Sequence, residues 1–239
     1  MGFNFPLYFI QVELRQMSKY LDVVSSALSE NANNVKVAFE EAMKNDPVEQ
    51  LPDDDIDWVV DDYQEDLIEA EYEFPRLLLV SFVILWYSFV EQKLLDFCEE
   101  LNLTITVSPK NRESMGKGVR RARRFLSIVK NYEIDQTQWN ELVYISKLRN
   151  LLVHEGKEIN LSYLKPEGDG ILYQKDGDLD IYLPVEKDLF NYMKRHDLFI
   201  VSGLSFEITP SVDYCKGLVK LATEIFNKLY KDLKTSKSK

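Results

Sequence analysis

Arg149, Asn150 and His154 lie close together in the segment SKLRNLLVHEGKEI, residues 146–159. A guanidinium presents a planar fork that fits a phosphate. A histidine exchanges protons near neutral pH. Four residues separate Arg149 from His154. On an ideal helix, five positions turn about 500°, so the two side chains point about 140° apart. Two arrangements resolve this. The long arginine can wrap toward the helix end, or a two-fold axis can bring the ends of two such helices together in a composite cleft. A plainer reading remains open, with Arg149 as a surface ion-pair residue and His154 as a helix C-terminal residue favoured by the dipole.

A second feature is a charge inversion. Between Lys110 and Lys130 stand eight basic residues (Lys110, Arg112, Lys117, Arg120, Arg121, Arg123, Arg124 and Lys130) against one acidic residue, Glu113. VRRARRFLSIV alternates arginine with apolar positions at helical spacing, which predicts a basic helix face. Such a face supplies the electrostatic part of nucleic-acid binding. The competing role is pairing with the segment Asp46–Phe74, which holds thirteen acidic residues and no Lys or Arg. That acidic segment is expected to be a solvated helix face and loop, or a docking surface for a basic partner.

The elements that must position these residues read mainly as helices. Residues 7–44 predict one long helix, or two broken near Asn31–Asn34. Pro47 and Pro52 mark a connection. Residues 56–100 predict a helix with a kink or break at Phe74-Pro75. Residues 77–90 are apolar nearly all round, so this helix must be covered on several sides, by the chain or by a second subunit. At 14 residues the run is too short to span a bilayer and reads as a core helix. LTITVSPK, 103–110, is expected to be extended. Residues 136–154 predict an amphipathic helix with Trp139, Leu142, Ile145, Leu148 and Leu152 inward and Gly156 as its cap. Residues 171–183 predict a β-hairpin around Asp-Gly, and 204–208 a third strand. Thr209-Pro210-Ser211 opens a closing helix to about Leu233.

Composition narrows the function classes. The chain has 239 residues, 45% hydrophobic and 29% charged, with a net charge of −11. That balance is ordinary for a globular protein and argues against indiscriminate coating of nucleic acid. Two cysteines, Cys98 and Cys215, and two histidines make a disulfide framework or a structural zinc site unlikely on arithmetic alone. No phosphate-binding glycine loop, nucleophile elbow or HExxH zinc motif occurs. No metal or other cofactor is expected. The N-terminus lacks a basic n-region and cleavage site, and Pro6 stands where a myristoylation motif needs Ser or Thr. A cytoplasmic protein with no membrane role is expected. His196 reads as a surface or core residue, and Glu155 as a solvated or accessory one.

The Arg149-Asn150-x3-His154 pattern, at the end of an amphipathic helix and preceded by the long helix YSFVEQKLLDFCEEL, resembles the HEPN superfamily. Its signature is an Arg, a polar residue and a His after four to six intervening positions. The motif likeness covers about ten residues, and the architectural likeness covers about residues 60–156 and the closing helix. The resemblance implies a single domain, 1–239: a HEPN-like helical bundle with a small β-hairpin insertion, about 158–208, before the C-terminal helix. It implies a homodimer and metal-independent RNA cleavage to 2′,3′-cyclic phosphate and 5′-hydroxyl ends. In that chemistry His154 is the general acid or base and Arg149 holds the scissile phosphate. Asn150 orients the histidine or contacts phosphate. Lys117, Arg120, Arg121, Arg123 and Arg124 would carry the RNA backbone. The resemblance also implies a toxin–antitoxin or antiviral defence setting, with an antitoxin or defence partner. One departure matters: Gly156 stands where one subgroup has a Tyr two positions after the His, which removes the residue through which that subgroup's antitoxins act. The alternative is a non-catalytic HEPN-like dimer that binds RNA, a nucleotide or a protein partner.

Overall fold

The computed structural model describes residues 5–45, 53–102, 117–154, 158–160, 171–175, 179–183, 185–202 and 205–234. The expected extended segment 103–110, Lys110, Arg112, Glu155 and Gly156 lie outside them. Helix α1 runs Phe5–Asn45 without a break at Asn31–Asn34, because beyond Pro6 in its first turn no proline or glycine interrupts it. Helix α2, Asp53–Ile68, leads through a π-helical turn, Glu69–Glu73, into α3, Phe74–Asn102. The expected irregularity at Phe74-Pro75 is therefore a widened turn just before the proline. Pro75 offers no N–H, and its ring crowds the carbonyl of Glu71. The π turn absorbs this, with the Phe74 N–H donating to the Glu69 carbonyl.

Helix α4, Gly118–Lys130, packs on α3. It ends at Asn131, whose φ of 48° lies in the left-handed region that Asn tolerates. Helix α5, Gln136–His154, starts under an Asp135 cap, whose Oδ1 accepts from the Thr137 and Gln138 N–H groups at 3.0 and 3.3 Å. Its five expected core residues, Trp139 to Leu152, are all buried. After α5 come β1, Glu158–Asn160, β2, Ile171–Lys175, and β3, Leu179–Leu183. Then follow α6, Lys187–Arg195, β4, Phe199–Ser202, and β5, Ser205–Ile208. Helix α7, Val212–Lys234, closes the chain, capped by Ser211 Oγ on the Tyr214 N–H at 3.0 Å.

The architecture is mainly helical with a small antiparallel hairpin before the closing helix. β2 and β3 pair as the expected hairpin, Ile171 opposite Leu183 and Lys175 opposite Leu179, with three residues between the strands. The third strand, β5, pairs not with this hairpin but with β4 and β1, giving the order β1-β5-β4. The segment between α5 and α7 thus holds a helix and two small sheets, more than a hairpin alone. α6 is short, and its buried set, Leu189, Phe190, Tyr192 and Met193, spans little more than one turn.

The core forms where α3 meets α1, α4, α5 and α7, around Trp86, Val90, Leu94 and Phe97. Tyr20 of α1 stacks on Phe82, and Phe97 packs against Tyr230 of α7. One helical run, Trp58–Leu101, is long and apolar enough by composition to cross a membrane; 44% of its most apolar window is buried within this fold. α3 is covered on most sides, yet Phe74, Leu77, Leu78 and Leu85 remain exposed along one stripe, Leu85 at 66%.

Candidate functional site

The Arg149 side chain leaves α5 toward the junction of three helices. Ser146, one turn earlier, accepts a 2.9 Å hydrogen bond from the Tyr87 hydroxyl of α3. Burial pushes the Tyr87 phenol above its ordinary value; the Ser146 hydrogen bond opposes this, the Glu91 carboxylate adds to it, and the positive charges of Arg149 and Arg120 oppose it. Tyr87 therefore sits within electrostatic reach of one arginine from α5 and one from α4. Glu91, one turn after Tyr87, faces the start of α4. A Cβ at Gly118 would stand 3.1 Å from the Glu91 carboxylate, and Gly118 itself has φ +58°. The positive φ favours glycine there, and a side chain would also push the Glu91 carboxylate aside. Lys117 offers no side-chain cap to α4, so the carboxylate supplies the negative charge that the helix N-terminus favours.

Arg149 is half-buried. Its Nη1 donates to Asn150 Oδ1 at 3.2 Å, and its buried Nε has no hydrogen-bond partner among the described residues. Asn150 thus engages the arginine, while His154 is exposed as the last residue of α5. The helix is unbroken between them, so the angular separation expected from the sequence stands. The Arg149 guanidinium bonds Asn150, one residue nearer the helix end, and its charge reaches Tyr87.

The basic residues divide by face. Lys117, Arg120, Arg121 and Arg124 follow i, i+3, i+4, i+7 spacing on the exposed side of α4, opposite the buried Val119, Ala122 and Leu126. Arg123 turns the other way. Its guanidinium lies over the Trp139 ring at 4.5 Å from the centroid, donates to Gln136 Oε1 at 3.2 Å and pairs with Glu133 at 3.6 Å. It fastens α4 to the start of α5. The acidic segment packs elsewhere, on α1, through a Phe39–Tyr63 stack at 3.8 Å and a Lys36–Glu71 pair at 2.5 Å.

Tyr87, Ser146 and Glu91 were not legible as site residues. Tyr87 is one letter in an apolar run, and only the crossing of α3 with α5 gives it a role. Among the described residues no group of three or more His, Cys, Asp or Glu is placed to hold a metal ion. No family model, no curated protein and no solved structure matches this chain.

Proposed function

We propose that this protein is a metal-independent endoribonuclease of HEPN type, acting as a homodimer in a toxin–antitoxin or antiviral defence setting. The observation that carries the reading is the end of α5: a half-buried arginine with an unused donor beside an asparagine, and an exposed histidine closing the same helix. Arg149, with Arg120 from the neighbouring helix, binds the scissile phosphate and meets the charge that develops on it. His154 moves a proton on or off the reacting oxygens. The cleaved bond needs the neighbouring 2′-hydroxyl as nucleophile, so DNA is not cut. The exposed face of Lys117, Arg120, Arg121 and Arg124 takes the flanking backbone.

A dimer supplies what one protomer lacks. Arg149 and His154 diverge on one helix, whereas a two-fold axis near the helix end sets the arginine of one protomer against the histidine of its partner. The exposed stripe Phe74, Leu77, Leu78 and Leu85 on α3 offers an apolar surface for pairing.

The test is cleavage of an RNA panel in EDTA by wild type, His154→Ala and Arg149→Ala, with end-group analysis. Cleavage to cyclic-phosphate ends by wild type alone supports the reading. Equal cleavage by all three places the activity elsewhere. Binding without cleavage by wild type favours the non-catalytic alternative. Sedimentation of Leu85→Glu beside wild type tests the dimer.

A further inference from the structure

A cavity of about 430 Å³ opens between α5, α6 and α7. That size falls within the usual range for small-molecule sites, about 300–1,000 Å³. At its centre His196, which follows α6, lies between two tyrosine rings, 4.6 Å from Tyr192 and 5.6 Å from Tyr214. The two tyrosine hydroxyls are 3.0 Å apart. Glu141, from α5, faces both Tyr192 and His196. Its carboxylate stands 4.0 Å from His196 Nε2, beyond hydrogen-bond reach, and that buried nitrogen has no other partner among the described residues.

The Tyr192 hydroxyl lies against both the Glu141 carboxylate and the Tyr214 hydroxyl. Two further carboxylates, Asp197 and Asp213, stand at the rim against one cation, Arg195. The missing complement to three carboxylates, Glu141, Asp197 and Asp213, is positive charge. Aromatic faces beside a carboxylate favour the same ligand. Gly217 adds an independent sign. It lies inside α7, where glycine weakens a helix, and a Cβ there would meet nothing within 4 Å. No neighbour demands its small size; its effect is to leave the cavity wall open.

We propose that this cavity binds a small organic cation, a primary amine or guanidine on a short apolar body, held by Glu141 and enclosed by Tyr192, His196 and Tyr214. The charged head lies against Glu141 and the tyrosine hydroxyls, and the apolar body rests on Leu218 and Leu221. This site is separate from the proposed nuclease centre and stands whether or not RNA is cut.

The test uses the full chain, with agmatine, n-butylamine, n-butanol and butyrate as probes at millimolar concentration. Calorimetry gives affinity, and the His196 ring resonances report location. The expected result is binding of the two amines with a shift at His196, and no binding of butanol or butyrate. Glu141→Gln weakens amine binding by about tenfold or more, the scale of one charge-assisted contact. Gly217→Phe fills the wall and abolishes binding, with circular dichroism showing that the fold persists; Glu141→Gln keeps the test valid if it does not. Failure of both amines to bind overturns the proposal. So does equal binding of butyrate or butanol, or unchanged amine affinity in Glu141→Gln.

Discussion

The Tyr87 hydroxyl donates to Ser146 Oγ at 2.9 Å, one helical turn before Arg149. The bond fixes the rotation of α5 against α3, and with it the direction in which Arg149 leaves the helix. Tyr87 is buried, so removing its hydroxyl leaves the Ser146 hydroxyl without this donor. Tyr87→Phe is expected to cost about 1 kcal/mol of stability, the usual net worth of such a bond. Urea unfolding measures that cost. RNA affinity of the same variant reports whether Arg149 has lost its aim; unchanged affinity would show that the arginine is positioned without Tyr87.

Arg76 is the one charged residue among the described residues that is fully buried, with 3% of its side chain exposed. From the first turn of α3 it pairs with Glu73 at 2.6 Å and with Glu207 of β5, which also accepts from Tyr72 at 2.9 Å. This cluster ties the small sheet to the bundle together with Phe206 and Ile208, which enter the core. Burial and the Glu207 hydrogen bond push the Tyr72 phenol up to about 12. Arg76→Met is expected to destabilise by about 1–3 kcal/mol, because both carboxylates lose their cation and each keeps some access to water. Adding Glu207→Met should recover part of that loss, since an apolar pair avoids the stranded charge. Thermal unfolding of the single and double variants checks both statements; a double variant worse than the sum of its parts would refute the second.

The two cysteines are free, buried thiols, Cys98 facing the Ala122 carbonyl and Cys215 facing the Leu79 carbonyl. Burial pushes each from 9.0 up to about 12. A thiol raised in the folded state binds its proton more tightly there than when unfolded. Its contribution to stability is therefore complete below pH 9 and is lost as pH climbs from there toward 12. Neutral pH should find both thiols unreactive toward a disulfide reagent until the protein is denatured, when two react. Stability should fall above pH 9, and less steeply in Cys98→Ser/Cys215→Ser. Rapid labelling of the native protein at pH 8 would contradict the burial of both residues.

The sequence carries the helices well, because apolar periodicity, Asp135, Ser211 and the proline at position 75 act locally. Trp139, Leu142, Ile145, Leu148 and Leu152 could be placed in the core from spacing alone. Helix α6 escaped notice because nine residues offer too short a stretch for the period to show. The β1–β5 pairing escaped because it joins strands more than forty residues apart, a tertiary choice, while β4, the adjacent antiparallel partner of β5, is only four residues long. The same limit applies to the site. Arg149, Asn150 and His154 are legible as a motif, but Tyr87 and Glu91 join them only through helix crossing. Arg123 shows the converse: its composition fits the basic face, and the Trp139 ring beside it sets its direction.

That division of the arginines gives a quantitative expectation for RNA binding. Each phosphate contact on a single strand contributes about 0.7 to the slope of log affinity against log salt. Arg120, Arg121 and Arg124 share the exposed face of α4, so replacing all three with Gln should lower the slope by about 2. Arg123→Gln should leave the slope nearly unchanged. It should instead destabilise the protein by about 0.5–1 kcal/mol through loss of the Trp139 contact. Filter binding of a short single-stranded RNA across a salt series, beside thermal unfolding, separates the two effects. A slope change in Arg123→Gln as large as in the triple variant would mean that the Trp139 contact opens on binding. An unchanged slope in the triple variant would remove α4 from the RNA surface altogether.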